Sequence, residues 1–131
     1  MLGDQIGEET GKLTGFRVLD ASGPKVEVSF QSKGKILGND YEGRASYWSE
    51  MQPGGSLYGE GQGLYMTSGG TAAWKGHGSG RLKPGGGVSY RGAIHFMSAT
   101  GNLAKLAGMV GVFEHETDAG DNVVSKLWEW K

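Results

Sequence analysis

From about residue 10 onward the chain alternates apolar and polar positions with a period of two, in VEVSF at 26–30, YEGRASYWSE at 41–50 and VSYRGAIHFM at 88–97. β-Branched and aromatic residues at that spacing mark strands with one buried face. Turn signals separate these runs: ASGP at 21–24, GND at 38–40, QPGG at 52–55, SGG at 68–70, PGGG at 84–87 and DAGDN at 118–122. The punctuation predicts eight strands, near 10–20, 24–36, 40–51, 56–67, 71–83, 87–97, 108–117 and 122–131. Pro24, Pro53 and Pro84 all fall in turns, where they interrupt no ladder. The single helical candidate is TGNLAKLAG at 100–108, long enough for a turn or two across a barrel end. The expected fold is therefore all-β: one domain over 1–131, an eight-stranded antiparallel up-and-down barrel that leaves no free edge.

Glycine complicates the pattern. Tyr58 to Leu82 reads YGEGQGLYMTSGGTAAWKGHGSGRL, with eight of the 26 glycines. No dinucleotide fingerprint or phosphate loop is present, because neither a strand-to-helix GxGxxG nor a Lys-Ser/Thr pair occurs here. Gly59, Gly61 and Gly63, and again Gly76, Gly78 and Gly80, recur every second residue, so each triplet occupies one face of one strand. A tight Gly69-Gly70 turn would set Tyr65 opposite Trp74, then Gly63 opposite Gly76, Gly61 opposite Gly78, Gly59 opposite Gly80 and Leu57 opposite Leu82. Continued into the next hairpin, that register sets Gly78 opposite Ile94 and His77 beside His95. At the last hairpin, pairing about DAGDN places Glu114 by Lys126 and Phe113 by Leu127. A six-glycine patch has two classes of explanation: strand coiling and room for bulky neighbours, or room for a ligand.

The strands YGEGQGLY at 58–65 and KGHGSGRL at 75–82, with the closing GVFEHETDAGDNVVSKLWEW at 111–130, resemble the allene oxide cyclase barrel-like group, in a calycin-like architecture. The resemblance covers most of the chain. It implies an eight-stranded barrel with a mainly apolar interior, a tendency to form homo-oligomers and, for some members, cyclase activity; it carries no catalytic residue across position by position. Lipocalin-like and avidin-like barrels are competing analogies, but the GxW motif expected of lipocalins is missing.

Composition narrows the partners. Thirteen basic and 14 acidic residues leave a net charge of −1 with no basic stripe, which argues against nucleic acid. Cysteine is absent, so disulfides, thiolate metal sites and a cysteine nucleophile are excluded. MLGDQIGEETGK does not read as a secretory signal, and no apolar run approaches the ~18 residues of a membrane span. The expectation is a soluble, cytoplasmic protein.

Candidate chemistry falls on two faces. The apolar face carries Tyr47, Tyr65, Trp74, Tyr90, Ile94, Phe96 and Phe113; aromatic walls with a few polar tips suit a small apolar molecule, with tyrosine hydroxyls orienting it. Tyr47, Tyr65, Trp74, Tyr90, Phe96 and Phe113 are the expected ligand-binding residues, against a plain packed core as the alternative. The polar face carries Glu60, His77, Arg91 and His95, which would line a polar cavity only in an inside-out barrel. His115 shares a face with Phe113, opposite in parity to His77 and His95, which argues against one metal site built from all three histidines. No metal and no cofactor are expected. Three functions remain open: a small-molecule-binding barrel, a cofactor-independent cyclase or isomerase, and an oligomer-forming structural protein with Trp48 and Trp128 as interface anchors.

Overall fold

The computed structural model describes residues 2–131. Eight antiparallel strands close into one barrel in the order of the chain: β1 (Leu2–Asp20), β2 (Lys25–Ile36), β3 (Asn39–Met51), β4 (Leu57–Thr67), β5 (Gly70–Leu82), β6 (Val88–Ala99), β7 (Val110–Thr117) and β8 (Asn122–Trp130). A single 3-10 turn, Gly101–Leu106, interrupts the meander between β6 and β7. The barrel and its one short helical segment are those expected from the punctuation. Among the described residues no helix is long and apolar enough to cross a membrane.

β1 is the main departure in strand boundaries. It starts at Leu2 rather than near residue 10, and its first half supplies the second neighbour of β8, from Leu2 opposite Trp130 to Lys12 opposite Asn122. Beyond Lys12 it pairs with β2 alone, and this projecting part carries Phe16 and Val18, 68% and 56% exposed, opposite Val28 and Val26.

The glycine hairpin also differs from expectation. Its turn is Ser68-Gly69, closed by Thr67 opposite Gly70. The Thr67 hydroxyl accepts the Gly69 N–H at 3.1 Å and donates to the Gly70 carbonyl at 3.0 Å. Gly63 therefore faces Trp74, Gly61 faces Gly76, Gly59 faces Gly78 and Leu57 faces Gly80, while Tyr65 faces Ala72. The next hairpin moves by the same two residues because its loop spans 83–87, where Lys83 N–H donates to the Gly87 carbonyl at 3.0 Å. His77 consequently faces Ala93, and His95 faces Lys75. At the last hairpin Glu114 faces Lys126 and Phe113 faces Leu127, as the DAGDN pairing predicts. A two-residue displacement preserves parity, so Tyr65, Trp74 and Tyr90 keep their predicted face, although Leu82, at the end of β5, is 57% exposed.

The inner face is the apolar one. One end is closed by the 3-10 turn, whose Leu103 and Leu106 are fully buried among Ile36, Tyr41, Ala72 and Phe96. Main-chain bonds hold it there: Thr100 N–H to the Thr71 carbonyl at 2.8 Å, Asn102 N–H to Gly69 at 3.2 Å and Gly108 N–H to Phe96 at 3.0 Å.

Candidate functional site

Much of the glycine patch is explained by the aromatic rings lying against it. A Cβ on Gly63 would meet the Trp74 indole at 2.6 Å, one on Gly80 would meet the Tyr90 ring at 2.9 Å, and one on Gly59 would meet the same ring at 3.2 Å. Gly76 and Gly78 face main-chain carbonyls of β6, Ala93 and Arg91, too closely for a side chain. Strand coiling and room for rings thus account for these positions.

The rings do not fill the interior. A cavity of about 90 Å³ remains inside, with Gly59, Gly61, Gly76 and Gly78 in its wall. Of the predicted ligand-binding residues, Tyr47, Tyr65, Trp74, Tyr90 and Phe113 line it, as does Ile94. Phe96 does not; it is fully buried toward the closed end, its ring 5.9 Å from that of Tyr65. Around the cavity Tyr47 lies 6.0 Å from Tyr90 and 6.3 Å from Phe30, ring centre to ring centre.

Into this apolar wall the fold inserts an acid and an imidazole. Glu9, on β1, is buried and lines the cavity. Its Oε1 accepts hydrogen bonds from the Tyr41 hydroxyl at 2.5 Å and the Ser32 hydroxyl at 2.9 Å. Burial pushes the Glu9 carboxyl above its ordinary range, while the bonds from Tyr41, Ser32 and Ser125 act in the opposite sense. None of the ion pairs among the described residues includes Glu9.

His115, on β7, is likewise buried at the cavity. Its Nδ1 shares a hydrogen bond of 2.7 Å with the Ser125 hydroxyl. Nε2 is buried with no hydrogen-bonding partner, the one such side-chain nitrogen or oxygen among the described residues. Phe30 and Tyr47 pack on the ring at 5.2 and 5.6 Å. Desolvation lowers the His115 pKa to about 4, against a weaker opposing effect of Glu116, so the ring is neutral near neutral pH.

β8 joins the two groups. Ser125 faces Glu9 directly in the β1–β8 ladder and faces His115 in the β7–β8 ladder. The constellation Tyr41, Glu9, Ser125 and His115 thus spans four strands and opens onto one apolar chamber. Chemically it offers an acid held by hydroxyl donors and a neutral imidazole with one nitrogen available. Tyr90 is tied elsewhere, by a short hydrogen bond to the Ser49 hydroxyl.

The polar row Glu60, His77, Arg91 and His95 stands on the outer face, and all four residues are exposed. Glu60 and His77 face each other across the glycine hairpin, and Glu60 accepts the Tyr58 hydroxyl at 2.8 Å. Arg91 lies within 3.8 Å of Glu114 and 3.6 Å of Glu116. The barrel is not inside out, yet Glu60 and His77 contribute to the cavity wall from this exposed row, whereas Arg91 and His95 do not. No group of three or more metal-ligating side chains converges among the described residues.

Glu9, Tyr41 and Ser125 escaped the reading of the sequence. Tyr41 heads an alternating run and was legible as an inner-face residue; Glu9 lies in the segment that showed no alternation. Neither a family model nor a curated protein matches the chain.

Proposed function

We propose that the protein binds a small, mainly apolar molecule inside the barrel, with the Glu9 and His115 pair meeting the ligand's polar group. The observation that carries this reading is the 90 Å³ chamber whose apolar wall holds a buried carboxyl and an unpartnered imidazole nitrogen. Buried polar groups are ordinarily hydrogen-bonded, and leaving one unpaired is unfavourable by about 1–3 kcal/mol. A chamber that maintains such groups beside apolar walls has the composition of a ligand site. A thermal-shift screen against small apolar metabolites tests it, since a ligand of the folded state raises stability as RT ln(1 + [L]/Kd). A dose-dependent shift for one chemical class is expected; no shift across the library would remove the reading.

A cofactor-independent cyclase or isomerase is the second reading, favoured by the same acid. A carboxyl raised by burial is a proton donor closer to neutral pH than an ordinary glutamate, and a neutral imidazole is a proton acceptor. The resemblance to the allene oxide cyclase barrel-like group supports this reading, and with it a homo-oligomeric protein. Turnover of a candidate substrate that survives unchanged in Glu9→Gln would count against it.

A further inference from the structure

We infer that the interior site selects a small organic cation, a primary alkylammonium with a short apolar body, with Glu9 as its counter-ion and His115 Nε2 as an acceptor for one of its N–H groups. This inference rests on the small-molecule reading above and adds the charge of the ligand.

Four features point to a cation. First, Glu9 has no basic partner inside the barrel, and every ion pair of the described residues is formed elsewhere. An isolated buried carboxylate is strongly disfavoured, so it either remains a neutral acid or acquires a positive partner. Second, the donors on Glu9 already suit the ionised form: two hydroxyls, Tyr41 and Ser32, converge on Oε1. Third, a neutral imidazole presents its open ring nitrogen as an acceptor when Nδ1 carries the proton toward Ser125, as it does when the Ser125 hydroxyl donates to Glu9. Fourth, the remaining wall is aromatic, including Phe30, Tyr47, Tyr65 and Trp74, and ring faces attract cations. A carboxylate ligand would meet repulsion from Glu9, and the one lysine at the cavity wall, Lys126, is exposed on the outer face opposite Glu8 and Glu114.

Size follows from volume. An engineered apolar cavity of about 150 Å³ accepts the six carbons of benzene, so a chamber of about 90 Å³ suits a body of roughly three or four non-hydrogen atoms.

The test is a binding titration of the full chain at neutral pH with n-propylamine, 1-propanol and propanoate, which differ in charge but hardly in shape. The expected result is amine binding about tenfold or more tighter than the alcohol, the size of effect a charge-assisted bond produces, with no binding of propanoate. In Glu9→Gln the amine is expected to lose that advantage while the alcohol still binds. Alcohol binding as tight as the amine's, or propanoate binding, would overturn the cation inference and leave the small-molecule reading intact. Binding of none of the three, together with a blank metabolite screen, would remove both. A second measurement needs no variant: the Glu9 carboxyl carbon, followed by NMR in the wild-type chain, should shift toward the ionised form on adding the amine and not on adding the alcohol. An amine that binds without moving that resonance would overturn the role of Glu9.

Discussion

Glu9 and His115 face one chamber from strands that are not neighbours, and Ser125, on the strand between them, supports both. Each is buried, and desolvation shifts each toward its less charged form. One apolar interior therefore biases two ionisable groups of opposite charge type in the same sense, toward neutrality.

Tyr41 is the nearest donor to Glu9, and its own hydroxyl is pushed well above the usual phenol range, by burial first and by the acid beside it second. Tyr41→Phe removes one of two hydroxyl bonds to Oε1 while keeping the ring that packs 4.5 Å from Tyr65. It should destabilise the protein by about 1–3 kcal/mol and raise the Glu9 pKa further. Urea unfolding and an NMR titration of the Glu9 carboxyl check the two effects; a pKa that falls would contradict the assigned hydrogen bond.

The two buried groups give opposite pH dependences. His115 titrates near 4 in the fold against 6.5 ordinarily, so between those values the unfolded chain takes up a proton that the folded chain refuses. Stability should fall by roughly 3 kcal/mol as pH drops through that window and level off below it. Glu9 is raised, so its contribution runs the other way: it is fully present below the ordinary value of 4.5 and is lost as pH rises through the folded value. Where the windows overlap, above 4.5, the two slopes oppose each other, so unfolding midpoints across pH report their difference. His115→Phe should remove the loss of stability toward acid and leave the Glu9 slope, and an unchanged slope would show that another group causes the loss.

Gly76 and Gly15 make a controlled comparison. A Cβ on Gly76 would strike the Ala93 carbonyl oxygen and the Ile94 side chain, whereas one on Gly15 has its nearest neighbour, Ser29 Cβ, at 3.6 Å. Gly76→Ala should destabilise by about 1–3 kcal/mol as overpacking does. Gly15→Ala should be neutral or stabilising by up to about 1 kcal/mol. Equal melting temperatures for the two variants would refute the close-approach explanation of the glycine patch.

These comparisons bear on what the sequence makes legible. Inner and outer faces were readable because parity survives an error of two residues: misplacing the 68–69 turn by one position slid the glycine ladder by two, about 6.6 Å along the barrel, yet Tyr65, Trp74 and Tyr90 still point inward. Cross-strand neighbours were less readable, and His77 and His95 proved not to be opposite one another. The first half of β1 was not readable at all, for its inward positions are Gly7, Glu9 and Gly11, which show no apolar alternation. That segment holds the acid of the candidate site. Closure of β1 on β8 joins residues more than a hundred positions apart, and no local pattern encodes the pairing.

Leu106 seals one end of the barrel from a 3-10 turn with no intrinsic stability. Leu106→Ala should cost about 2–5 kcal/mol and loosen the closed end. Hydrogen exchange should then accelerate first at Asn102, Gly108 and Met109, whose amides anchor the turn; uniform acceleration over all strands would mean that the turn and barrel unfold as one unit.

The pairing of β1 with β8 also orders events in time. During synthesis β1 leaves the ribosome first, finds β2 within a few residues, and then waits for six further strands before its other edge is covered. Glu9, on that waiting strand, gains Tyr41 and Ser32 early, whereas Ser125 and His115 arrive with the final hairpin. The chamber is consequently the last part of the molecule to exist, and a nascent chain halted before β7 carries the acid without its imidazole.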